Sequence, residues 1–188
     1  KNPQTDQPGY NDLHTVGTAV TVLKLLKVPD GPNSLVVHGL IRFRIVEWLA
    51  EQPYLRARIE VLESTATAGK NLDAMVNHIR QMAMKMVELS PNIPDEVGVV
   101  IHNIEDAGML ADFLSANINI DLEKKQELLE ELNVNERLGK LSLMLAEQVE
   151  LLEMSAKIQK RVSKNIDKTQ REYYLQEQLK AITEADLP

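Results

Sequence analysis

SLVVHGLIRFRIVEWL, residues 34–49, decides the fold class of this chain. From Leu40 it alternates, with Ile41, Phe43 and Ile45 on one face and Arg42 and Arg44 on the other, because successive side chains of a β-strand point to opposite faces. The run before it, VGTAVTVLKLLKV (16–28), mixes β-branched and aliphatic residues, and PDGPN (29–33) separates the two. Proline presets φ and Asp-Gly supplies the positive φ of a tight turn, so a hairpin is expected. YLRARIEVLES (54–64) alternates again, setting Leu55, Ala57, Ile59 and Val61 against Arg56, Arg58 and Glu60. The expectation is an antiparallel three-stranded meander. Its two open edges would invite aggregation, so the sheet is expected to be incomplete here, with partner strands upstream of Lys1. Gly39 is expected to mark a bulge or bend. Arg42 and Arg44 have two readings: a solvated outer face, which strand alternation favours, or a grip on an acidic partner.

The chain has 188 residues, enough for one large domain or two small ones. Hydrophobic residues make up 44% and charged residues 26%, which is ordinary for a globular protein. Aromatics are only 4%, so Leu, Val, Ile and Met must fill the core. A formal charge of −7 argues against a dedicated nucleic-acid binder. Without cysteine there is no disulfide, thiolate metal site or cysteine nucleophile. His14, His38, His78 and His102 fall in no metal-ligand spacing, so no metal site is expected. Neither a membrane span nor a signal-peptide core is legible.

After STATAGKN (64–71), read as a loop, the period changes. Leu72, Met75, Ile79, Met82 and Met86 step by three and four, one face of a helix that SPNIP (90–94) ends. The methionines fill a core, or they offer an adaptable apolar surface to varied partners. Short helices are expected over 94–102, 105–117 and 122–132, the first with Pro94, Asp95 and Glu96 in its opening turn. Asn133 is expected to cap the next helix, with Glu136 closing a capping box. From Val134 to Leu187 there is no proline and one glycine, Gly139. A helix of ~50 residues would run about 75 Å. Leu141, Leu145, Val149 and Leu152 are dense enough to pack. Beyond them a thin stripe runs Leu151, Ser155, Ile158, Val162, Ile166, Thr169, Tyr173, suited to a nearly straight helix that is partly solvated or packed on other subunits. Residues 121–153 hold nine acids and four bases, whereas 156–171 hold six bases and one acid. The basic segment admits weak nucleic-acid contact, but a solvated or subunit-contacting face accounts for it.

No Gly-rich phosphate loop and no GxSxG occurs, and no Ser, Lys or Asp stands in an activating context. The residues describe a binding or scaffolding module with no catalytic residues. The fold class is α+β: a β-rich lobe (an antiparallel meander) over 1–63, a helical bundle over 72–132, and a long projecting C-terminal helix over 133–188.

Four runs carry a resemblance. NDLHTVGTAVTVLKLLKVPDG (11–31), VHGLIRFRI (37–45), NVNERL (133–138) and QREYYLQEQLKAI (170–182), in that order, resemble the amino-terminal domain of the Lon protease family. The resemblance implies an ATP-dependent serine protease, assembled as a homohexamer. Each subunit of that family has a substrate-recognition domain, an AAA+ ATPase module that uses ATP and Mg, and a protease module with a Ser-Lys dyad. The last two are absent here, so no catalytic residue and no cofactor carries over. The family usually starts with further strands and a helix upstream. TEADLP (183–188) departs from its usual continuation, through divergence or a gap.

Two functions follow from these observations. The first is recognition of unfolded or damaged protein substrates together with organisation of the hexamer, in the bacterial cytoplasm or, in a eukaryote, the mitochondrial matrix. Its candidate contact residues are Met75, Met82, Met86, Tyr173 and Tyr174. The second is a stand-alone adaptor domain of the same fold without protease activity. The continuation of the reading frame separates them: a phosphate-binding loop and then a Ser-Lys segment for the first, a stop codon for the second.

Overall fold

A computed structural model describes residues 1, 5, 7–27, 33–94 and 96–185. Residues 29–32 of the expected turn, Asp95, and the end of TEADLP at 186–188 lie outside the described residues. The β-rich part is a sheet of three antiparallel strands, β1 (Val16–Leu26), β2 (Ser34–Ala50) and β3 (Arg56–Leu62), in the order β1-β2-β3. The meander expected from the alternating runs is therefore the observed topology. Ala19 lies opposite Ile41 and Val20 opposite Gly39, leaving Leu40 as the extra residue of a bulge beside Gly39.

The sheet inverts one expectation. Thr18 and Leu62 lie opposite Arg42, and Val16 opposite Arg44, so these residues share a face. That face meets helices: Val16 is buried, and the Gln126 side chain donates to its carbonyl at 3.1 Å. Arg42 is accordingly turned inward, not into solvent. Arg44, farther along, keeps the expected exposure and stands 3.9 Å from Glu60. On the opposite face, Ile41, Ile59 and Val61 are 44%, 46% and 53% exposed. Phe43 is half-buried on this face, because its ring lies over Gly17, where a Cβ would come within 3.0 Å of the ring.

Five helices follow: α1 (Lys70–Leu89), α2 (Glu96–Asn103), α3 (Ala107–Asn117), α4 (Leu122–Glu130) and α5 (Val134–Ala185). Each start has a local cause. The Pro94 carbonyl accepts from the Val97 N–H at 3.1 Å ahead of α2. Asp106 caps α3, its Oδ1 accepting the Met109 N–H at 2.7 Å. Asn133 caps α5 as expected, accepting from Asn135 N–H at 2.9 Å and Glu136 N–H at 3.3 Å. The reciprocal half of the capping box differs. The Asn133 N–H donates to Glu131 Oε1 at 3.2 Å, not to Glu136. Lys140, one turn into α5, holds the Glu131 carboxylate at 3.0 Å and so places it there.

The chain divides into two compact units, and α1 and α5 each contribute to both. The first comprises Lys1–His78 and Ile104–Leu141. Its core is Leu110, Ala111 and Leu114 of α3, Ile118, Leu128 of α4, and Val134, Leu138 and Leu141 of α5, all buried. The start of α5 is tied to the strand-to-helix loop through a parallel bridge, with Thr65 N–H donating to the Leu132 carbonyl and Val134 N–H to the Thr65 carbonyl. The second comprises Ile79–Asn103 and Ser142–Pro188. Its core joins Ile79 and Ala83 of α1, Ile101 of α2, and Met144, Leu145 and Val149 of α5. Gly98 lets α2 approach α1, since a Cβ there would come within 3.1 Å of Met84 Cε. In α5 the last buried residue is Val149, and residues 154–178 are exposed throughout.

Glu131 links the helix start to pH. The Lys140 hydrogen bond, then the Asn133 N–H, lower its carboxyl below the usual 4.5. A folded-state pKa below the unfolded one adds stability above the unfolded value and loses it as pH falls through the folded value. Glu131→Gln should therefore flatten the fall in the urea midpoint between neutral pH and the acid range below 4.5, measured by circular dichroism on both proteins. An unchanged acid slope would contradict this role.

Candidate functional site

Inside the first unit, a polar cluster pins the sheet to the helices. The Arg137 side chain on α5 is fully buried. Its Nε and Nη2 donate to the Glu131 carbonyl at 2.8 and 2.6 Å, its Nη1 to Asp112 Oδ1 at 2.9 Å, and its Nη2 also to Ser64 Oγ at 2.9 Å. Arg42 meets the same carboxylate from the sheet, with Nη1 on Asp112 Oδ2 at 2.9 Å, Nη2 on Oδ1, and Nε on the Leu129 carbonyl at 3.1 Å. Burial and then the neighbouring Arg42 cation push the Arg137 guanidinium down from its usual value, and Asp112 opposes both. One carboxylate on α3 thus balances two guanidiniums, one from β2 and one from α5. This is the acidic grip that one reading of Arg42 allowed, and the acid belongs to the same chain.

Beside this cluster a cleft of about 570 Å³ opens between the sheet and the ends of α3 and α4. Val37, Leu40 and Ile41 of β2, Phe113 of α3, and Leu128 and Leu129 of α4 make it mostly apolar. Thr18, His38, Asn117 and Lys125 supply its polar groups. Beyond the cleft the β1–β2 hairpin stays apolar and open to solvent. Val22, Leu25, Leu35 and Val37 are about half exposed, with Val22 opposite Val37 and Leu25 opposite Leu35. Adjoining aliphatic residues in that state form an apolar patch of the kind that marks interaction sites. Among the described residues no group of acids and histidines could hold a metal ion. No helix there is long and apolar enough to cross a membrane.

The sequence-named residues do not converge on one place. Met75 belongs to the first unit and Met82 and Met86 to the second, all half-buried on α1. Ser142 Oγ of α5 stands 4.0 Å from Met82 Sδ. Tyr173 and Tyr174 are 66% and 63% exposed on α5, and Gln178 donates to the Tyr174 hydroxyl at 3.0 Å. Sequence reasoning did not find Asp112, Arg137 or the cleft. A signal for Arg137 existed: it is the one cation on the helical face of Val134, Leu138, Leu141 and Leu145. Asp112 carries no such signal, because one acid in a short amphipathic helix reads as solvated.

This arrangement of meander, short helices and long helix defines a substrate-binding domain of the Lon type, and the chain belongs to that family. Residues 1–147 match the family described as "ATP-dependent protease La (LON) substrate-binding domain". The chain is 41% identical over 187 residues to the Lon protease of Syntrophus aciditrophicus, covering 98% of this chain and 24% of that protein. It is 39% identical over 182 residues to Lon protease of Escherichia coli, covering 97% and 23%. It therefore spans about a quarter of the length of these relatives. Among solved structures, the N-terminal domain of Mycobacterium avium complex Lon protease shares the fold, with a TM-score of 0.56 over 72% of this chain and 70% of that one, at 23% identity.

Truncating Arg137 leaves Asp112 and Arg42 to rearrange and a buried cavity in place of the guanidinium. Removing one member of a buried ion pair costs about 3–5 kcal/mol, reduced here because the Asp112 side chain is 42% exposed. Arg137→Ala should lower unfolding stability in guanidinium chloride by about 2–4 kcal/mol. Arg44→Ala, at a half-exposed surface pair, should change it by less than about 1 kcal/mol. Equal effects of the two substitutions would remove the special role of the buried cluster.

Proposed function

We propose that this chain recognises unfolded or damaged protein segments for an ATP-dependent Lon-type protease of the cytoplasm and helps to organise its hexamer. Supporting this is one observation above the others: the apolar, half-exposed face of the β1–β2 hairpin that leads into the cleft. An unfolded polypeptide differs from a folded one chiefly in its exposed apolar side chains. Each one fully covered contributes about 1.5–3 kcal/mol before ordering costs. Single contacts would be weak, and repetition around a hexamer would add avidity. ATP and Mg would act in the AAA+ module, and the Ser-Lys dyad in the protease module, both outside this chain. Tyr173 and Tyr174, exposed on α5, are further candidates for substrate or subunit contact, whereas Met75, Met82 and Met86 could take part only through their half-exposed edges. Nothing favours the stand-alone adaptor: the relatives bear the name Lon protease and are about four times as long.

A photo-crosslinkable unfolded model substrate should label β1 and β2 peptides more strongly than a folded control. The double variant Leu25→Glu, Leu35→Glu, a cross-strand pair at the hairpin end, should bring labelling to the control level. Labelling that never exceeds the folded control would sink substrate capture by this chain.

A further inference from the structure

The two edges of the sheet are protected differently. Strand β3 is seven residues long and carries Arg56, Arg58 and Glu60. Arg58 pairs with Glu47 at 2.7 Å and Glu60 faces Arg44. Charge and shortness are the usual means of keeping other chains off an edge. Strand β1 has neither: it is 11 residues long, pairs with β2 alone, and its only charge is Lys24.

The direction of its main-chain groups follows from two hydrogen bonds. The Thr15 carbonyl accepts from Ile45 N–H, on the β2 side, while the Val16 carbonyl accepts from Gln126, on the outer side. Main-chain groups of an antiparallel strand alternate between its two neighbours. Those of Thr18, Val20 and Val22 therefore face the open edge. Val16 is occupied by α4, which leaves the free run starting at Thr18 and ending at the Leu23 bulge, where Val22 lies opposite Val37 and Lys24 opposite Val36.

We infer that the outer edge of β1 takes an extended segment of unfolded polypeptide as an added strand, with main-chain hydrogen bonds at Thr18, Val20 and Val22. The inference rests on the substrate-recognition reading and supplies its mode. The occupant is a polypeptide because the chain belongs to a substrate-binding family. It is an extended segment without proline because the edge offers alternating main-chain donors and acceptors. Its favoured residues are β-branched or aliphatic, because the neighbouring Val20, Val22 and Leu23 are apolar and exposed. Sequence-tolerant capture follows, since the main chain is common to every substrate.

The test uses the whole chain and a short fluorescent peptide alternating Val and Thr, methylated in turn at each backbone nitrogen. Edge addition predicts a period of two: methylation weakens binding about 2- to 10-fold at alternate positions and little between them. Val20→Pro removes an outward N–H without touching the ladder to β2, and Val22→Lys puts a second charge on the edge. Both should reduce affinity while the melting temperature and the fluorescence of the single tryptophan, Trp48, stay as in the parent. A flat methylation profile with binding still lost in Leu25→Glu, Leu35→Glu would overturn strand addition and leave side-chain capture standing. No binding to any unfolded probe would overturn both. A doubled mass with β1-to-β1 crosslinks that the peptide does not compete away would assign the edge to a second copy and overturn the proposal.

Discussion

Arg137 keeps a permanent positive charge where no water reaches it, and the first unit is arranged around making that tolerable. A buried guanidinium is costly unless its donors are met. Here Asp112, Ser64 and the Glu131 carbonyl meet them. The same carboxylate draws in Arg42, so the sheet, α3 and the first turn of α5 are fixed by one cluster. Apolar contacts among Leu110, Leu114, Leu128 and Leu138 supply bulk stabilisation. They are non-directional, and they would tolerate the sheet sliding over the helices. The fork of a guanidinium on a carboxylate would not. The cleft beside Arg42 owes its shape to that restriction.

The consequence for function is that the sheet presents apolar surface where a small globular domain would ordinarily hide it. One face spends its inward positions on Arg42 and Val16, and its hairpin end, with Val22, Leu25, Leu35 and Val37, extends past the helices. Soluble proteins rarely leave such surface open without a partner. A domain whose work is to meet exposed apolar segments of other proteins needs surface of this kind, shallow and general, more than a deep and selective pocket. The cleft, mostly apolar with few polar groups, fits that demand.

Much of this was legible from the chain. Period-two runs at 16–28, 34–49 and 54–64 place the three strands, and the bulge beside Gly39 follows from a glycine inside one of them. The absence of proline from Val134 onward yields a helix that continues to Ala185. The family follows from four runs in a fixed order. The candidate surface was less legible. Met75, Met82 and Met86 share a helical face, but a periodic stripe states only that residues are neighbours on a helix, and all three are half-buried. Tyr173 and Tyr174 are legible as exposed because the helix around them carries too few apolar residues to be covered.

Local rules act over a few residues: alternation for strands, three-and-four spacing for helices, Asp106 and Asn133 as caps. The sequence by itself determined those elements, their order and the family. Alternation sorts Arg42 and Ile41 to opposite faces of β2, yet it is silent on which face the helices take. Only the tertiary structure decided that Arg42 turns inward, because its partner Asp112 lies 70 positions away and no local pattern encodes that meeting. The exposed hairpin face and the open edge of β1 are likewise properties of what packs where. They depend on which surfaces the helices leave uncovered, and that is a sum over distant contacts.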